Sequence, residues 1–141
     1  MTTKMFKYTI CEPLNPTIVD KGNITIEDFR TVLQNFPWID MLRELENAEE
    51  SKAFYSPSLE LVDLTSNHSL AISIVGSEPE LEFYIFYKRP KTITKRKWFK
   101  TIEVFEPEYL TDRIGQSKKD MEEAFNALLE GDFELLESRW G

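Results

Sequence analysis

Residues 81–105 read LEFYIFYKRPKTITKRKWFKTIEVF, and this stretch decides the fold. Leu81, Phe83 and Ile85 alternate with other residues along its first part, which is the two-residue period of a β-strand. Residues 98–105 alternate in the same way and are rich in β-branched and aromatic side chains, which favour strands. We therefore predict two antiparallel strands that are joined by a loop.

The second face of this hairpin is unusually aromatic. A strand that packs against one helix layer has a polar outer face, but here that face carries Tyr84, Phe86, Phe99 and Phe105. Either another element covers these rings or they are offered to a partner. Large exposed apolar patches are uncommon on monomers, so we favour the covered arrangement.

The loop of the hairpin is strongly basic. Residues 88–100 contain seven of the 17 basic residues and no acidic residue, so the rest of the chain holds ten basic and all 25 acidic residues. One interpretation is that flanking lysines keep an aromatic strand pair soluble and block edge-to-edge association. The other is that the loop forms a positive patch that docks an acidic partner.

Helices are predicted both before and after the strands along the chain. Thr25 is a candidate N-cap with Asp28 three residues later, and Pro37 separates this first helix from a second one. Ser117 with Asp120, and then Gly131, mark the start and end of a longer helix. A short final helix follows.

The predicted fold is a single α+β domain over residues 1–141. It has an N-terminal helix pair, a four-stranded antiparallel β-meander and C-terminal helices. A short strand that contains Phe6, Tyr8 and Ile10 is an optional fifth member, and residues 21–23 are predicted to form a turn. Pro107 is expected to end the sheet and to open a helical turn that Gly115 closes.

Composition excludes several classes of function. The net charge of −8 argues against a duplex-DNA binder, which needs a basic surface. The single cysteine, Cys11, excludes an intrachain disulfide and suits a reducing compartment. No apolar run resembles a signal peptide or reaches the length of a membrane span. We expect a cytoplasmic protein without a membrane partner.

The sequence shows no catalytic pattern. The single histidine, His68, is predicted to be a surface turn residue, so a histidine-based metal site or a Ser-His-acid triad has little to rest on. The five glycines are isolated and form no phosphate-binding loop. We therefore predict no enzyme activity, no metal and no cofactor.

The layout of helix, Phe36-Pro37-Trp38, helix, meander and closing helices resembles small acidic bacterial proteins of the toxin-immunity type. The resemblance covers most of the chain in layout, size and charge. It implies a protein that binds and neutralises a toxin partner, but no family motif assigns a role to an individual residue.

Two sets of residues are candidate contacts for a protein partner. A basic partner would meet the acidic end of the second helix, at Glu44, Glu46, Glu49 and Glu50. An acidic partner would meet the basic loop, at Lys91, Lys95, Arg96, Lys97, Trp98 and Lys100. The alternatives are a self-associating subunit such as a homodimer, and a single-stranded nucleic-acid platform in which cations alternate with stacking rings.

Overall fold

A computed structural model describes residues 4–141. The strands are β1 (Met5–Cys11), β2 (Val19–Thr25), β3 (Ser58–Asp63), β4 (Ser69–Ser77), β5 (Glu80–Lys97) and β6 (Lys100–Gln116). The helices are α1 (Ile26–Asn35), α2 (Trp38–Asn47), α3 (Lys118–Glu130) and α4 (Phe133–Trp140), with a single 3₁₀ turn at Glu50–Lys52. All six strands form one antiparallel sheet in the order β2-β1-β3-β4-β5-β6.

The α+β class and the antiparallel sheet are confirmed, but the predicted layout is wrong. The structure begins with two strands rather than a helix pair, and its sheet has six strands rather than four. The missed strand is β2, where residues 21–23 were predicted to form a turn. Its polar residues suit an edge strand, because only β1 pairs with it and one side remains in solvent.

The last two strands are also much longer than predicted. β5 continues through the basic stretch to Lys97. Within that stretch, Thr92, Ile93 and Thr94 have β-branched side chains, which favour a strand. β6 continues past Pro107 to Gln116, so the predicted helical turn does not form. Proline is tolerated there because β6 is an edge strand and the pairing register shifts at this point.

The helix boundaries follow the predicted capping residues. Thr25 Oγ1 accepts a hydrogen bond from the Asp28 backbone N–H at 3.3 Å, and Ser117 with Asp120 forms a complete capping box. Gly131 ends α3 with a φ of +71°, a left-handed conformation that glycine adopts without strain. Phe36 has extended backbone before Pro37, as the ring of a proline requires of the residue before it.

The core lies between one face of the sheet and the helices. The inward side chains of the central strands are fully buried, among them Leu59, Leu61, Ile72 and Ile85. Phe29 of α1 and Phe125 of α3 meet in this layer with ring centroids 5.3 Å apart. Burial alternates along β3, β4 and β5, so only one face of the sheet is covered.

The prediction that a second element covers the aromatic outer face is wrong. Tyr84 and Phe86 lie on the open face and stack on each other, with centroids 4.4 Å apart and an interplanar angle of 5°. Phe99 and Phe105 are 87% and 63% exposed. The physical reason is that the helices of residues 4–141 all contribute to the layer on the opposite face.

Candidate functional site

A two-stranded arm extends beyond the body of the sheet. The pairing of β4 with β5 ends at Ser69 and Lys88, whereas β5 and β6 stay paired from Lys91 and Glu106 out to Lys97 and Lys100. We call residues 91–106 the arm. At about 3.4 Å per residue, its seven paired positions on β5 carry the tip about 20 Å past the neighbouring strands.

The tip of the arm is a tight turn made of two aromatic residues. Trp98 and Phe99 connect the last pair of the hairpin, and both side chains are 87% exposed. Trp98 has a φ of +58°, a conformation that two-residue hairpin turns normally assign to glycine. A bulky residue with positive φ is strained by about 1–3 kcal/mol. The turn therefore holds a large apolar side chain in solvent at a conformational cost.

Cations surround the aromatic tip. Lys95, Arg96, Lys97 and Lys100 are exposed, and the acidic residues of the arm, Glu103 and Glu106, lie further from the turn. Lys95 Nζ lies 3.5 Å from Glu106 Oε1. Within residues 4–141, the other three cations at the tip form no ion pair. These charges are available to an acidic surface.

A buried arginine anchors the base of the arm. Arg89 is 1% exposed, and its guanidinium donates to both carboxylate oxygens of Glu137 in α4 at 2.9 and 3.0 Å. It also donates to Thr111 Oγ1 at 2.6 Å and lies between the rings of Tyr87 and Tyr109, 4.4 and 4.8 Å from their centroids. The bidentate carboxylate offsets the cost of burying the guanidinium, and the two aromatic rings add cation–π attraction.

Glu137 links this anchor to the first residue of the arm, because Lys91 also donates to its carboxylate. Partial burial alone would raise the pKa of Glu137, but the hydrogen bonds from Arg89 and Lys91 outweigh it and lower the pKa. The carboxylate therefore stays ionised at neutral pH and holds strand β5 against helix α4.

His68 does not behave as the predicted exposed turn residue. It is half-buried, its ring stacks on Phe133 with centroids 4.0 Å apart, and Nδ1 lies 2.7 Å from the Tyr87 hydroxyl. Burial lowers the pKa of His68 and raises the pKa of Tyr87 to about 12. Both groups are therefore neutral at pH 7, and they extend the hydrogen-bonded layer that supports Arg89.

The two predicted contact sets lie at opposite ends of β5 and do not form one site. Glu44, Glu46, Glu49 and Glu50 are all exposed at and beyond the C-terminal end of α2. Arg43 of α2 pairs at 2.8 Å with Glu78, which lies in the turn that precedes β5. The basic set begins at Lys91, about 35 Å from Glu80 along an extended strand, and reaches Lys97 at about 55 Å.

Cys11 lies at the end of β1 and is partly buried. Burial raises the pKa of its thiol, and the nearby Glu60 carboxylate raises it further. A thiol with a raised pKa holds little reactive thiolate at neutral pH. This site therefore supplies no activated nucleophile.

Sequence reasoning found the charge and the rings of the tip, but it missed how they are presented. The three consecutive β-branched residues at 92–94 were the available signal for a strand rather than a loop. No local signal marks the Arg89 anchor, since Thr111 and Glu137 lie 22 and 48 residues away.

Comparisons with protein-family models, with curated proteins and with solved structures gave no significant match. Within residues 4–141, none of the helices has the length and apolarity needed to cross a membrane.

Proposed function

We propose that this chain is a non-enzymatic protein-binding module and that the arm is its contact element. The observation that carries the proposal is the exposed Trp98–Phe99 tip, which is ringed by four cations, three of them without an ion pair among residues 4–141. Tryptophan and arginine are enriched among the residues that dominate binding energy at interfaces. An exposed aromatic pair contributes most to the binding free energy when it enters a recess from which water is excluded.

The partner that fits this tip has an acidic surface around an apolar recess. The arm supplies Lys95, Arg96, Lys97 and Lys100 as the positive rim, and the two rings supply the apolar centre. Rim charges of this kind raise the association rate and select partners of opposite sign. In the most specific form of the proposal, the partner is a toxin whose working surface the arm covers.

The anchored base of the arm supports this role. The arm begins at the Arg89–Glu137 anchor, and Lys91 joins the same carboxylate. A contact element that is already positioned loses less conformational entropy on binding than a mobile loop does. The anchor therefore favours a binding arm over a flexible linker.

The test compares Trp98→Ala with Phe54→Ala in quantitative affinity purification from the source organism. Phe54 is 48% exposed and lies outside the arm, so it controls for the loss of any exposed aromatic ring. We expect a co-purifying protein that Trp98→Ala loses and Phe54→Ala retains, with retention falling as salt rises. Equal recovery with both variants would exclude the arm as the contact element. Recovery of nucleic acid instead of protein would favour the single-stranded platform.

A second candidate function is self-association through the open face of the sheet. The stacked Tyr84 and Phe86 lie there, and Leu110, on the same face of the neighbouring strand, is 54% exposed. Such a patch fits an interface between two copies. Sedimentation velocity distinguishes the two candidates: a sedimentation coefficient that rises with concentration, and that Phe86→Lys makes constant, supports self-association.

A further inference from the structure

A shallow recess lies on the solvent-facing side of α2, beside the loop that joins β1 to β2. Its volume is about 450 Å³. Its apolar part consists of Ala48 and of Leu14, a large side chain that is 47% exposed. The rim is polar and is formed by Asp40, Arg43, Glu44 and Asn47. The recess therefore has an apolar centre that is open to solvent.

The segment that carries the recess is acidic. Residues 40–52 contain five acidic and two basic residues, which gives a net charge of −3. Both of the basic residues already have carboxylate partners. Within residues 4–141, Glu44, Glu46 and Glu50 form no ion pair. The C-terminal end of a helix adds partial negative charge of its own, so this surface attracts cations.

The recess and the tip of the arm are complementary in charge and in polarity. Residues 95–100 contain four cations and no acidic residue around the exposed rings of Trp98 and Phe99. The partner that fits this tip has an acidic surface around an apolar recess, and the end of α2 has both properties. Opposite charges across a contact of this kind select the partner and speed association.

The tip cannot reach the recess of its own chain. Arg43 on the rim pairs at 2.8 Å with Glu78, which lies just before β5. The tip follows the other end of β5, about 55 Å from Glu80 along an extended strand. A contact between tip and recess therefore joins two copies. Since it uses two different surfaces, it is heterologous and leaves a free tip and a free recess for further copies.

We propose that the tip of the arm of one copy docks in the α2 recess of a second copy. The Trp98 ring covers Leu14 and Ala48, and the cations of the tip face the acidic rim. An aromatic side chain buries about 150–250 Å², and interfaces under about 1,200 Å² are weak and transient. The assembly is therefore reversible. This inference rests on the proposed function of the arm as a contact element and names a second copy as a partner.

The first test is sedimentation velocity of the purified full chain from low to high micromolar concentration. We expect the sedimentation coefficient to rise with concentration at low salt and the rise to shrink as salt is added, because salt screens the charges. Trp98→Ala and Leu14→Lys should each abolish the rise. Ile18→Lys is the matched control, because Ile18 is 51% exposed in the same loop and lies outside the recess. It should assemble as the unmodified chain does.

The second test mixes the two blocked variants. Trp98→Ala keeps its recess and Leu14→Lys keeps its tip, so each should be monomeric alone. An equal mixture has one usable contact and should form dimers and nothing larger. An interface through the open face of the sheet would instead give the same result in both variants with or without mixing.

Three results would overturn the proposal. They are a concentration-independent monomer for the unmodified chain, assembly of Leu14→Lys equal to that of Ile18→Lys, and a mixture of the blocked variants that stays monomeric. None of them removes the proposed function. That function fails separately, if affinity purification recovers no protein through the arm and the purified chain does not assemble through it.

Discussion

Arg89 is the residue on which the geometry of the arm depends most. Its guanidinium joins strand β5 to α4 through Glu137 and to β6 through Thr111. Sequence patterns predict which faces are apolar, but they cannot show that one cation in a basic stretch turns inward. That outcome depends on partners that only the folded chain brings close. In the sequence, Arg89 is one of seven similar charges.

Removing the carboxylate partner of Arg89 should destabilise the fold. Leaving one charge of a buried ion pair without its partner costs about 3–5 kcal/mol, and partial exposure of the Glu137 side chain reduces this to about 2–3 kcal/mol for Glu137→Gln. Urea unfolding measures the loss. Arg43→Met breaks an exposed pair with Glu78 and should cost less than about 1 kcal/mol. Equal losses of unfolding free energy in the two variants would show that the Arg89–Glu137 pair contributes no more to stability than an exposed ion pair does.

His68 should make stability depend on pH. Burial lowers its pKa in the folded state, so the unfolded chain takes up a proton near pH 6.5 before the folded chain does. The free energy of unfolding should therefore fall as the pH drops below about 6.5. His68→Gln should flatten this dependence between pH 7 and pH 5 in urea titrations. An unchanged slope in the variant would mean that other groups cause it.

At the scale of an element, sequence periodicity predicted the helix boundaries but not the length of the two strands that form the arm. The helices were predictable because caps such as Ser117 and stops such as Gly131 act locally. The lengths of β5 and β6 were not predictable, since a run of basic residues and Pro107 are typical of loops. Cross-strand pairing overrides that local preference, because each strand of the hairpin satisfies the backbone of the other.

Replacing Trp98 by glycine should separate the stability of the arm from its function. Glycine adopts a φ of +58° without strain, so Trp98→Gly should slow hydrogen exchange of the arm amides while it abolishes partner binding. Phe99 does not have a positive φ, so Phe99→Gly should speed exchange there. Faster exchange in Trp98→Gly would contradict the assignment of strain to this turn.

At the scale of the whole molecule, the arm is separate in packing and in charge from the rest of the fold, which we call the body. Residues 91–106 contribute no side chain to the buried core, which lies between the sheet and α1–α4. The tip lies about 20 Å from the body, which exceeds two Debye lengths at physiological salt. The acidic surface of the body therefore does not cancel the positive charge of the tip.

The body should fold without the arm. Replacing residues 92–105 with Asn-Gly joins the paired residues Lys91 and Glu106 through a favoured two-residue turn. We expect the melting temperature to change by less than about 5 °C, since no core contact is lost. Circular dichroism during heating measures this. A large drop would show that the arm stabilises the fold, and it would then not be a separate contact element.

The most direct test of the arm as contact element uses this shortened protein. Affinity purification from the source organism should be run in parallel with the intact chain, the shortened chain and Phe54→Ala, with quantitative mass spectrometry. The arm assignment predicts at least one protein that the intact chain and Phe54→Ala both retain and that the folded, shortened chain loses. Retention of the same proteins by all three forms would contradict it.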